Sequence, residues 1–211
     1  MTFQPLDFDL YHPKPLIIVI SGPSGVGKDA TLQLMKKHNL PIHFVVTMTT
    51  RLKRPQEIEG VDYFFVSAAQ FEGMITNGQL IEYAKVYDDY KGIPKTQIDM
   101  ALSSGKDVVL RLDVQGAAKI RFLYPEAVLI FLIPSNQDEW LQRLKERKSE
   151  TPESFHSRVE MARQELTRIS EFDYLVVNSE GKLEQTVASI KAIVSAEHHK
   201  VVHRMVIDGP K

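Results

Sequence analysis

Five short apolar runs punctuate the chain, at residues 16–20, 43–47, 107–112, 127–133 and 174–178. Each is rich in Val, Ile and Leu with no polar alternation, the pattern of strands covered on both faces. Longer stretches of helical periodicity lie between and after them, over residues 28–38, 96–104, 114–122, 136–148, 152–169 and 182–199. Ser135 stands before one of these as an N-cap, and Thr151-Pro152-Glu153 sets a cap, a first-turn proline and an acid in order. Such alternation predicts an α/β protein with a parallel five-stranded core sheet flanked by helices.

The rhythm breaks between residues 47 and 95, where strand-like pieces at 62–66 and 80–86 surround a short helix. That helix opens on Ser67-Ala68-Ala69-Gln70, which has capping-box spacing. The region, rich in Tyr, Arg and Glu, reads as a lobe inserted between the second and third core strands. An Arg/Lys-rich helical hairpin over 137–165 reads as a second, smaller excursion. The chain therefore divides into an extension (1–14), core segments (15–46, 96–136 and 166–199), the lobe (47–95), the hairpin (137–165) and a tail (200–211).

Composition narrows the function classes. The 211 residues carry 26 Lys and Arg against 27 Asp and Glu, a net charge of −1 that argues against generic binding to nucleic acid or acidic membranes. Zero cysteines exclude a disulfide scaffold, thiol catalysis and thiolate metal sites. No apolar stretch approaches the roughly 20 residues of a membrane span. The N-terminal MTFQPLDFDLYHPKP lacks the pattern of a secretory or transit peptide, so a cytoplasmic protein is expected.

The strongest chemical signal is Gly22-Pro23-Ser24-Gly25-Val26-Gly27-Lys28, which follows an apolar strand and opens a helix. Glycines let the backbone wrap so that its N–H groups face phosphate oxygens, the helix N-terminus adds positive charge, and the lysine reaches the transferable phosphate. This predicts a nucleoside triphosphate site. Asp29 and Ala30 follow, where Ser or Thr usually stands after the lysine. Asp29 either holds Mg²⁺, directly or through water, or is a first-turn acid favoured by the helix dipole; the water-mediated role is preferred.

Asp113, at the C-terminal end of a buried strand, lies where ligands gather in this architecture, and it also stands in position to cap the next helix. Arg51 and Arg54, three residues apart, with Tyr63 nearby, suit a phosphate monoester, against the alternative of a solvated basic loop. Glu82 sits in an apolar strand, as an edge residue or a buried acceptor. One carboxylate can accept both guanine N1–H and its 2-amino group, a pair that adenine lacks. Arg143, Arg147 and Arg158 lie on the helical hairpin, where they form surface ion pairs or close over phosphates. His198, His199 and His203 read as surface histidines, and Trp140 as packing.

Taken together, SGPSGVGK, TTR-x-x-R, G-x-DY-x-F, IEYA, LDVQGA, R-x-x-x-R and VVN, in that order over about residues 15–197, resemble the guanylate kinase family. The resemblance implies a P-loop nucleoside monophosphate kinase fold with a GMP-binding lobe and a helical lid. It implies that ATP phosphates are bound by Gly22, Pro23, Ser24, Gly25, Val26, Gly27, Lys28, Asp29 and Ala30, with Asn178 on the adenine side. Thr47 and Glu82 would read guanine, Arg51, Arg54 and Tyr63 would hold the GMP phosphate, and Asp113 lies beside the nucleotide. The catalytic cations would be Lys28, Arg51, Arg143, Arg147 and Arg158, acting with Mg²⁺ in a protein that is usually a monomer.

Three departures stand out. Lys91-Gly92-Ile93 replaces a usual Tyr-Gly-Ser/Thr, with Tyr90 one residue early; Arg111 stands where aspartate is common; and Asp29 replaces Ser/Thr. Arg111 paired with Asp29 would conserve charge. GKDA and LRLDVQGA are similar to plant-type organellar members. A ribose 1,5-bisphosphate phosphokinase of the same fold is disfavoured because its substrate has no base for Glu82 to read. A silent guanylate-kinase-like interaction domain is disfavoured because Lys28 and the loop glycines are kept.

Overall fold

A computed structural model describes residues 13–86, 89–145 and 152–201. Strand β1 (Ile17–Ser21) leads through the glycine-rich turn into helix α1 (Lys28–Lys37) and strand β2 (Ile42–Phe44). The lobe then comprises β3 (Met48–Thr49), β4 (Phe64–Phe65), α2 (Ala68–Thr76), β5 (Leu80–Val86) and β6 (Asp89–Pro94). The core resumes with α3 (Lys95–Ser103), β7 (Asp107–Arg111), α4 (Val114–Leu123) and β8 (Val128–Ile133). Helices α5 (Gln137–Lys145) and α6 (Pro152–Leu166) form the hairpin, a 3₁₀ turn (Ile169–Glu171) follows, and β9 (Tyr174–Val177) and α7 (Leu183–His198) complete the fold.

The core sheet has five strands in the order β2-β7-β1-β8-β9, every neighbouring pair parallel. Its central strands β1, β7 and β8 lack polar alternation because both faces are covered, whereas edge strand β9, also expected to be covered on both faces, leaves Leu175 and Val177 half exposed. On one face Ile17, Val19, Val108, Leu110 and Leu129 pack with Ile98 and Ala101 of α3 and Ala117 and Ile120 of α4. On the other, Ile18, Ile20, Val109, Ile130 and Leu132 pack with Met35 of α1 and Val187 and Ile190 of α7. Successive β1 residues thus enter opposite cores, which fixes the central strand's register.

The lobe carries its own four-stranded sheet, β4-β3-β6-β5. Two features position its side chains. A bulge between Leu80 and Glu82 offsets β5 against β6, so Ile81 enters the core cluster and Glu82 pairs with Ile93. Gly92 lies under the Phe71 ring, where a Cβ would stand 2.8 Å from Phe71 Cζ and 2.9 Å from the Glu82 carbonyl oxygen. The predicted capping box is formed, with Gln70 N–H donating to Ser67 Oγ and Ser67 N–H donating to Gln70 Oε1.

Several sequence expectations are corrected. The run at 43–47 ends as core strand at Phe44, and the chain pairs again in the lobe at Met48–Thr49. Strand β6, which carries a glycine and a proline, was not expected at all. The strand read at 62–66 shrinks to Phe64–Phe65 because residues 58–63 form a tight loop closed by Gly60 N–H donating to the Tyr63 carbonyl. The cap before α5 is Asn136, whose Oδ1 accepts from Glu139 N–H at 2.9 Å; Ser135 Oγ instead bonds the Glu139 carboxylate. The cap read at Thr151 lies outside the described residues. No helix among the described residues is long and apolar enough to cross a membrane.

Candidate active site

The glycine-rich turn between β1 and α1 is shaped by close approach. Gly22 has φ 134° and faces the Leu132 carbonyl so closely that any Cβ would collide with it. Gly27, the residue before α1, has φ 98° and lies against the Asn178 side-chain amide in the same way. The loop is clasped from three directions. Asn178, 4% exposed, donates from Nδ2 to the Val26 carbonyl at 2.7 Å and accepts from Thr186 Oγ1 at 2.9 Å. Trp140 Nε1 donates to the Ser24 carbonyl at 2.8 Å, so this tryptophan does more than pack against Leu144 and Ala162. Arg158 donates to Ser24 Oγ at 2.6 Å, and Arg143 reaches the Val26 carbonyl at 3.4 Å while paired with Glu139 and Glu180. Arg147 lies outside the described residues.

Lys28 turns its ammonium onto the Gly22 carbonyl and, at 3.2 Å, the Pro23 carbonyl. Burial lowers its pKa, and the carboxylates of Glu165 and Asp29 oppose that shift. Asp29 is ion-paired with Arg111, whose other terminal nitrogen donates to Tyr63 Oη at 2.8 Å. The charge exchange read in the sequence is therefore a physical contact. Ala30, exposed on α1, is placed beside this loop by the backbone alone.

In the lobe, Tyr63 is ringed by cations, with Arg51, Arg111 and Lys91 at 5.1, 5.7 and 5.9 Å from the ring centroid. Arg51 grips Glu57 with both arms, at 2.8 and 2.6 Å, and Glu57 also accepts from Arg54 N–H at 2.8 Å. The Arg51 hydrogen bonds hold the Glu57 carboxyl down at about 2, against the opposing effect of burial. The Arg54 side chain is exposed, and Thr47 lies in the crossing from β2 to β3 with its carbonyl accepting from Phe64 N–H at 3.0 Å.

Glu82 and Asp113 face each other electrostatically where β5 meets the start of α4. Asp113 caps α4 by accepting from Gly116 N–H at 2.8 Å, so the capping role is realised. Burial pushes Glu82 up to about 7, Asp113 adds to the shift and Lys119 opposes it. Glu165 on α6 is raised to about 7 for the same first reason, with Lys28 opposing and Asp113 reinforcing. A cavity of about 140 Å³ opens here between Asp113, Gln115, Gln164, Glu165 and Arg168.

Two members of this site were missed. Glu57 was legible only as one acid inside a basic run, and Glu165 looked like any acid on a charged helix. The reading of His198 as a surface histidine is also corrected: its Nε2 lies 2.9 Å from Asp107 Oδ2, while Asp107 Oδ1 accepts from Leu16 N–H at 2.9 Å. That pair ties the end of α7 to the start of β7. His199 is exposed, and His203 lies outside the described residues.

Among the described residues no group of three or more His, Asp or Glu is placed to hold a metal. Mg²⁺ keeps much of its water and takes few protein ligands when it travels with phosphates. Asp29, with one oxygen committed to Arg111 and its side chain 57% exposed, fits such a hydrated ion through water and not an enclosing cage.

A parallel sheet with a glycine-rich loop at its central strand, an inserted lobe and a basic helical hairpin define a P-loop nucleoside monophosphate kinase fold. The guanylate kinase family model matches residues 14–197. "Guanylate kinase 2, chloroplastic/mitochondrial" of Oryza sativa subsp. japonica is 49% identical over 195 residues, covering 92% of this chain and 68% of that one. The guanylate kinase of Halalkalibacterium halodurans is 43% identical over 187 residues, covering 89% and 91%. The crystal structure of guanylate kinase from Anaplasma phagocytophilum superposes with a TM-score of 0.70 at 29% identity, covering 90% of each chain. The chain belongs to the guanylate kinase family.

Proposed function

We propose that the protein transfers the γ-phosphoryl group of ATP to GMP, giving ADP and GDP. The observation that carries this reading is the glycine-rich loop that opens α1 on Lys28, lying next to a lobe whose Tyr63 phenol is ringed by cations. Donor phosphates bound at the loop would meet an acceptor phosphate bound at the phenol. A GMP phosphate oxygen attacks the γ-phosphorus, the new P–O bond forms as the bond to the ADP oxygen breaks, and no general base is needed. Lys28, Arg143, Arg147 and Arg158 neutralise charge on the moving group, while the loop from Gly22 to Ala30 and Asn178 hold the donor. Asp29 would hold Mg²⁺ carried with ATP, and the ion would supply further charge neutralisation at the donor phosphates.

Arg51, Arg54 and Tyr63 orient the acceptor phosphate, Thr47 and Glu82 read the base, and Asp113 orders the ground between the two. The α5–α6 hairpin acts as a lid that excludes water, which would otherwise hydrolyse ATP. The protein acts as a monomer on these small molecules. A cytoplasmic location is part of this reading; the rice relative carries an organellar name, so imaging of the tagged full chain in cells tests it.

The test of the reaction is ADP formation from Mg·ATP with GMP, AMP or ribose 1,5-bisphosphate as acceptor. Turnover that depends on GMP and is much weaker with the others is expected. Activity with the sugar phosphate alone moves the protein to the neighbouring kinase, and silence with all three overturns the assignment.

A further inference from the structure

Arg111 ends β7 at the C-terminal edge of the core sheet, with β2 on one side and β1 on the other. Its backbone pairs with Ile20 of the central strand, while its guanidinium reaches two separate elements. One arm pairs with Asp29 at the start of α1, and the other donates to Tyr63 Oη at 2.8 Å. A guanidinium is a planar fork, so fixing one arm fixes the direction of the other.

The consequence falls on the phenol. Tyr63 Oη accepts from Arg111, which leaves its own proton free to donate outward. A charged donor behind it polarises that O–H and strengthens it as a donor. Around the same ring stand three cations, Arg51, Lys91 and Arg111, of which Arg51 pairs with Glu57 and Arg111 with Asp29. Cations this close to the phenol suit an anion beside it.

Stability does not account for the arrangement. With Asp29 57% exposed, the ion pair is screened by solvent and adds little to stability. Its consequence is geometric.

We propose that Arg111 is a positioning residue for the acceptor: held by Asp29, it aims the Tyr63 hydroxyl proton at the acceptor's phosphate. The inference rests on the kinase reading above and adds a residue to it. The ion pair at Asp29 is then the rear anchor of an acceptor site, reaching it from the donor side.

The test is steady-state kinetics of the full-length protein with Arg111→Ala, Arg111→Lys, Tyr63→Phe and the double variant Arg111→Ala/Tyr63→Phe, each checked by its melting temperature. Arg111→Ala is expected to raise the KM for GMP by about tenfold or more. The KM for ATP is expected to move by less than about threefold, and the melting temperature by a few degrees at most. The double variant is expected to be no worse for GMP than the worse single one, because both remove the same donor. Arg111→Lys keeps the charge without the fork and is expected to behave like the alanine variant. Calorimetric GMP binding without ATP is expected to weaken in parallel.

Equal rises in both KM values, a loss confined to kcat, additive effects in the cycle, or a wild-type GMP KM in Arg111→Lys would each overturn the inference. Should Arg111→Ala fold poorly, Arg111→Lys and Tyr63→Phe carry the same comparison. Wild-type protein without GMP-dependent turnover overturns the kinase reading and this one with it. Wild-type turnover with an unchanged Arg111 series overturns this one alone.

Discussion

Glu82 is subject to two opposed requirements. Burial favours its neutral form and pushes it up to about 7, whereas a base with two adjacent donors needs the charged form as acceptor. The KM for GMP is therefore expected to fall as pH rises through about 7, a dependence seen in initial rates at subsaturating GMP. Glu82→Gln is expected to flatten that profile and raise the KM by about 10- to 100-fold, since a charge-assisted pair is lost. Unchanged discrimination between GMP and AMP in this variant would refute the base-reading role. Lys28→Ala is expected to cut kcat by about 10³-fold, the scale of losing one charge-stabilising group. Its folding transition is expected to stay close to wild type, because its two hydrogen bonds are to loop carbonyls at the edge of the core.

At the scale of elements, the lobe depends on how closely β6 approaches α2 and β5. Gly92→Ala forces a methyl into the Phe71 ring and the Glu82 carbonyl, and is expected to cost about 1–3 kcal/mol in urea unfolding. Loss of GMP affinity is expected to accompany it, because the same backbone shift moves Glu82. The core strands were legible because a strand buried on both faces writes itself as an unbroken apolar run. Strand β6 was not, since Asp89-Tyr90-Lys91-Gly92-Ile93-Pro94 carries no period of its own and owes its pairing to β3 and β5. The phosphate loop was legible because its chemistry is local, seven consecutive residues between a strand and a helix. Glu165 was not, because its meaning arises only when α6 brings it beside Lys28 and Asp113. The Asp29–Arg111 contact lies between these cases: two departures 82 residues apart, each odd alone, make sense as one exchange of charge.

For the whole molecule, the perturbed carboxyls set how stability responds to acid. Glu82 and Glu165, raised to about 7 from 4.5, bind protons more tightly in the folded chain than in the unfolded one. Between those values the folded state holds more protons, so their contribution to stability declines as pH rises. Glu57, lowered to about 2, contributes in the opposite sense, and its share is lost only as pH falls below about 4.5 towards 2. His43, which burial pushes below its ordinary 6.5, contributes in the rising sense across the same window, so Glu82→Gln with Glu165→Gln is expected to make the urea-unfolding slope between about pH 5 and 7 more positive than in the wild type. A double variant with the wild-type slope contradicts the assignment. The clasp of Asn178 on Val26 has a consequence in time as well as space. Its two partners are 152 residues apart, so a ribosome finishes the phosphate loop about 8–30 s before it delivers the amide that braces it. A nascent chain stopped short of Asn178 therefore carries the loop's whole sequence without its brace, and is expected to hold nucleotide less tightly than the full chain.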